Sequence, residues 1–151
     1  MLSKLNNWFN KHLSVDETAP AHNVELATAV LLHEIMRADH KLESQELVAF
    51  RQQLEQQFSL SNIELDELCL LSQEQAEAAT DFHQFTRIIN DKCDPQQKQK
   101  IMEGLWAVAY ADHELSADEE YTIRKIADLL YVPHSQYIKS KLAAQPSKPS
   151  L

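Results

Sequence analysis

The chain has 151 residues, a formal net charge of −9, a single glycine and two cysteines. A domain of that length buries roughly 68–70% of its unfolded surface and needs no staples. The acidic balance excludes a phosphate-tracking nucleic-acid surface, and one glycine, Gly104, excludes a glycine-rich phosphate loop.

Leu, Ala, Gln, Glu and Lys abound and no sustained period-2 alternation occurs, so the fold class is all-α, a compact bundle of about seven to eight helices. The first helix covers about residues 2–13. It places Met1, Leu2, Leu5, Trp8, Phe9 and Leu13 on one face, with Lys4, Asn7 and Lys11 opposite. Such a stripe suits packing on the protein's own core, a partner protein or a membrane surface, so residues 1–13 are a candidate docking element. A Ser/Asp/Glu/Thr/Pro linker runs to residue 21 and closes an N-terminal unit, residues 1–21.

The main domain, residues 22–143, begins with a helix over about 22–38 that repeats Val24, Ala27, Leu31, Ile35 and Ala38 at helical spacing. The next, over about 44–57, carries Leu47, Phe50 and Leu54 toward the core, followed by Phe58. Ser61 and Glu64 form a capping box that opens a helix to about residue 78. Asp81 is read as the cap of a shorter helix bearing Phe82, Phe85 and Ile88/Ile89. Asp94-Pro95-Gln96-Gln97 supplies an N-cap, a proline at the first helical position and a box-closing Gln for a helix to about Ala111. Ser116 and Glu119 form a third box, opening a helix to about Leu130. Pro133 starts the last helix, and residues 144–151 form a polar, disordered tail.

The strongest functional signal is a repeat. Ala38-Asp39-His40-Lys41-Leu42-Glu43-Ser44-Gln45-Glu46 reappears as Ala111-Asp112-His113-Glu114-Leu115-Ser116-Ala117-Asp118-Glu119, offset by 73 residues. Each copy keeps Ala-Asp-His, a Leu three residues after the Asp and a Glu seven residues after it. The same offset pairs Leu32 with Leu105 and Arg51 with Arg124, so the bundle consists of two pseudo-symmetric halves, each a helix–turn–helix hairpin.

An Asp at a helix C-terminus opposes the macrodipole, and a cation would compensate it. With the following Glu, each hairpin offers hard oxygen ligands suited to Ca²⁺, Mg²⁺ or Mn²⁺, and Zn²⁺ would require His40 or His113 to join. The competing explanation is structural. The aspartates then bond turn amides, Glu119 only closes its capping box, and the histidines occupy left-handed positions past helix ends. The spacing is no EF-hand, because Lys41, Ser44 and Phe50 fall where that loop needs an oxygen ligand, a Gly and a Glu. No zincin motif and no Glu-x-x-His pair is present. His33 and His83, on helices, and His12, His22 and His134, near helix ends, each read as surface or capping residues and not as ligands, and Trp106 and Tyr110 as core aromatics.

The doubled Ala-Asp-x-x-Leu-x-x-x-Glu, with its second copy inside Leu105-Trp106-Ala107-Val108-Ala109-Tyr110-Ala111-Asp112 and followed by Glu119-Glu120, resembles the TerB-like tellurite-resistance family over about residues 22–143. The resemblance implies an all-α fold of two similar halves and a metal site made of Asp39, Glu46, Asp112 and Glu119. It also implies a role in tellurite and other stress responses, within protein assemblies at the membrane. One departure is that the family commonly has Gly after the motif Asp, where this chain has His40 and His113. The expectation is therefore a non-enzymatic, divalent-metal-binding helical module with protein partners and no nucleic acid. Its alternatives are an interaction scaffold in which the acids only cap helices and, third, a metal-dependent hydrolase. Cys69 and Cys93 far apart, with no secretory leader or membrane span evident, suit a cytoplasmic protein with free thiols, peripheral to the inner face of the membrane.

Overall fold

The computed structural model describes residues 24–38, 44–79, 81–111 and 115–145. Among them are seven helices and no strand: α1 Val24–Arg37, α2 Ser44–Phe58, α3 Asn62–Ala78, α4 His83–Lys92, α5 Pro95–Ala109, α6 Ala117–Leu129 and α7 His134–Ala144. The all-α bundle expected from composition is observed. The expected helix over 2–13 and the expected C-terminal disorder lie outside the described residues, apart from Ala144 and Gln145. No helix of the described residues is long and apolar enough to cross a membrane.

The three capping boxes form as the sequence requires. Ser61, Asp94 and Ser116 each accept from the backbone N–H three residues on, while Glu64, Gln97 and Glu119 reach back to the cap N–H. Two orphan donors per helix are thereby satisfied, and each boundary is set locally. Asp81 differs from expectation. The helix starts at His83 behind Phe82, and Asp81 accepts from the His83 N–H at 2.9 Å, one residue ahead of the cap position. Phe82 has right-handed helical backbone angles, and its phenyl ring has no acceptor with which to cap.

Among the described residues, two helices end in left-handed residues that are not glycine, Ser59 (φ 54°) after α2 and Tyr131 (φ 59°) after α6. At the second, Val132 N–H bonds to the Ala127 carbonyl and Tyr131 N–H to that of Asp128, the pairing of a Schellman ending.

Helix α1 is the axis of the bundle and packs against α2, α3, α4, α5 and α6. Its sequence promised one apolar stripe, yet every residue from Leu26 to Leu32 is buried. Apart from Thr28 the run is apolar, as a helix segment enclosed on all sides requires, and each fully buried Leu or Val here contributes about 1.5–3 kcal/mol of burial energy. Helix α5 plays the same part in the second half, with Ile101, Met102, Leu105, Trp106 and Val108 enclosed. The contacts follow the repeat: α1 meets α6 as α5 meets α2, α1 packs on α3 as α5 packs on α7, and the two central helices touch each other. Gly104 lies where α2 crosses α5, and a Cβ there would come within 2.9 Å of Gln57 Nε2. The crowding atoms belong to the movable ends of Gln57 and Gln53, so a side chain here would displace those amides and not the helix backbones.

Leu47 departs from its expected core position. It is 42% exposed and faces an open groove, whereas Phe50 and Leu54 on the same helix are enclosed.

Candidate functional site

Two features of the bundle bear on function, and both are organised by the repeat. The first is a pair of buried acids. Glu46 is the third residue of α2 and Glu119 the third of α6, and each has zero solvent exposure. Position in the first helical turn favours a negative charge, because unsatisfied N–H groups and the helix dipole point toward it. Complete burial is a further demand, since a desolvated carboxylate must be matched by donors or a cation.

Glu119 answers part of that demand through its capping box, taking the Ser116 N–H at 3.0 Å while its own N–H goes to Ser116 Oγ at 3.0 Å. The first half has no Ser in the corresponding place, since residue 43 is Glu where residue 116 is Ser. Of the four acids predicted as ligands, the structure describes Glu46 and Glu119. Asp39 and Asp112, with His40 and His113, lie outside the described residues. Among the described residues no cluster of three or more His, Cys, Asp or Glu side chains is arranged to hold a metal ion. Carboxylate oxygens are hard donors, but among the described residues Glu46 and Glu119 are not gathered into a cluster that could hold an ion.

The second feature is a groove of about 640 Å³ between α1, α2 and α3. Its exposed apolar surface comes from Leu47 and Leu70, with Met36 and Phe50 enclosed behind them, and it is also lined by His33, Arg37, Arg51, Asp66, Cys69 and Glu77. A volume in this range is typical of ligand clefts. The rim arginines already have partners: Arg37 bonds Glu34 and the Ala76 carbonyl, each at 2.9 Å, and Arg51 bonds Asp66 at 2.8 Å.

His33 was expected as a surface or capping residue. It is instead half-buried at the groove, edge-on to Phe50 with centroids 6.2 Å apart. Burial, helped by Arg37 and opposed by Glu77, pulls its pKa below 6.5 and keeps the imidazole neutral. Burial also raises the Cys69 thiol, against the pull of Arg51, so the thiol stays protonated near neutral pH. The sequence offered one signal for this groove, the pairing of Arg51 with Arg124, but not which helix each arginine would face.

The corresponding region of the second half is filled. Trp106 stands 73 residues after His33 and is completely buried, its indole N–H donating to Ser140 Oγ at 2.9 Å. It stacks on Tyr110 at 6.1 Å and meets Tyr137 edge-on at 5.3 Å. Lys141 pairs with Glu120, whose hydrogen bond and charge raise the Lys141 pKa against the opposing effect of burial.

Two packed hairpins related by a repeat, each with a buried acid in its second helix, define an all-α, two-hairpin module. A family described as tellurite resistance protein TerB matches residues 25–142, and the chain belongs to that family. Comparison with curated proteins gives no match, and comparison with solved structures gives none.

Proposed function

We propose that this member of the TerB family is a non-enzymatic module that binds a divalent cation through its two motif hairpins. The observation that carries the reading is the burial of Glu46 and Glu119, identical residues at identical repeat positions, each with zero exposure. Asp39 and Asp112 would complete the ligand set, one Asp and one Glu from each hairpin. Carboxylate oxygens favour Ca²⁺, Mg²⁺ or Mn²⁺, and His40 and His113 would bring Zn²⁺ into range. The bound ion would serve to tie the two hairpins together. In this reading the module works through protein partners in a tellurite or stress response, inside the cell at the inner face of the membrane.

The test is calorimetric titration of metal-stripped protein with Ca²⁺, Mn²⁺ and Zn²⁺. Binding tighter than about millimolar (about −4 kcal/mol), abolished in Asp39→Ala/Asp112→Ala, is expected. Absence of binding, or binding unchanged in the double variant, overturns the reading.

The Ser116–Glu119 capping box favours a second reading, an interaction scaffold whose repeated acids serve only the helix ends. It predicts that the same double variant loses equal stability with and without metal.

A further inference from the structure

The two halves place different side chains against their third helix. At the offset of 73, Trp106 and Tyr110 of the second half correspond to His33 and Arg37 of the first. The aromatic pair fills the space between α5, α6 and α7. The smaller imidazole, and a guanidinium turned away to Glu34 and the Ala76 carbonyl, leave the groove between α1, α2 and α3 open. Leu47 stays 42% exposed there and Leu70 and Cys69 are half-buried, while Met36 and Phe50 are already enclosed, so the apolar surface left to cover is that of Leu47 and Leu70.

The chain carries the aromatic residues that this half lacks. Wound as a helix, the sequence of residues 1–13 would place Leu5, Trp8, Phe9 and Leu13 on one face, and it contains two lysines and no acid in a chain of net charge −9. Because Arg37 and Arg51 are already matched by Glu34 and Asp66, Glu77 and the overall negative field remain to receive Lys4 and Lys11.

Reach permits the return. The ten residues 14–23 span up to about 33–36 Å when extended. The groove opens beside His33, Met36 and Arg37, about 20 Å along α1 from Val24 at 1.5 Å per residue. A thirteen-residue helix is itself about 20 Å long, enough to lie across the three-helix groove.

We propose that residues 1–13 form an amphipathic helix docked in the α1–α2–α3 groove of the same chain, with Trp8 taking the place that Trp106 holds in the second half. This is helix-in-groove recognition turned inward, and it stands independently of metal binding.

Full-length protein carrying Cys93→Ser leaves Cys69, at the groove, as the sole thiol. Its rate of reaction with a disulfide reagent is compared with that of the same protein bearing Leu5→Asp/Trp8→Asp. The double substitution is expected to raise the rate about tenfold, the effect of losing about 1.4 kcal/mol of contact, with helical content unchanged. In protein labelled with 5-fluorotryptophan, Leu47→Asp is expected to return the Trp8 resonance to the position of a solvated indole.

An unchanged Cys69 rate overturns the proposal. So does a Trp8 resonance that leaves the solvated position only when phosphatidylglycerol vesicles are added, which makes the segment a membrane-surface helix. Protection that falls on dilution overturns it too, because the segment then docks on a second copy.

Discussion

Near the end of α5 an indole is enclosed by two tyrosines and donates its N–H to Ser140, whereas near the end of α1 an imidazole stands at the edge of an open groove. The helices around the two positions pair in the same way, so the difference arises in side chains and not in topology. The equivalent arginines diverge alongside them: Arg51 makes an ion pair with Asp66, while Arg124 lies over the Tyr137 ring at 5.8 Å. One half has become a sealed aromatic core and the other a recess with polar walls. A duplicated hairpin can thus keep its backbone role in both copies while only one copy keeps an accessible surface.

The largest expected effect tests the sealed half. Trp106→Ala should cost about 3–5 kcal/mol, because it leaves a cavity and removes the N–H that donates to Ser140 Oγ. His33→Ala should cost about 1 kcal/mol, since that side chain is only half enclosed. Urea midpoints measure both, and equal losses would end the distinction between a closed and an open half.

A smaller effect concerns the caps. Ser116→Ala removes an observed capping bond and should cost about 1 kcal/mol. Glu43→Ser, which gives the first half the Ser-x-x-Glu pattern it lacks, should gain no more than about that amount in thermal unfolding.

The smallest effect is pH dependence. The folded pKa of His33 lies below its ordinary 6.5, so on acidification through 6.5 the unfolded chain takes up the proton first. The His33 contribution to stability is therefore complete above 6.5 and is lost as pH falls toward the folded value. His33→Gln should remove that component from a plot of urea midpoint against pH. Trp106, its counterpart, contributes no proton-linked change, so a wild-type slope unaffected by His33→Gln would show that the groove does not bury the imidazole.

Much of the fold was legible because helix ends are local. Ser61–Glu64, Asp94–Gln97 and Ser116–Glu119 each define a boundary from four consecutive residues, and all three act as read. Asp81 was read one residue off, because an Asp before Phe82 can bond the first helical N–H without being the cap. The burial of the whole Leu26–Leu32 run was less visible, since periodicity marks the face a helix buries first and not how many neighbours will surround it. The candidate acids could be listed from the repeat, yet their environment could not. That Glu46 and Glu119 are fully enclosed depends on how α2 packs on α5 and α6 on α1.

The sequence by itself determined the helical class, the helix starts and the doubled motif, because propensity, capping and internal repetition act over a few residues. Only the tertiary structure decided that Leu47 stays exposed, that His33 is half-buried, and that one half is sealed while the other is open. Those outcomes depend on side-chain volume where three helices meet, a quantity set by residues far apart in the chain. His33 and Trp106 occupy the same repeat position, and the space each must fill exists only once α3 and α7 have packed.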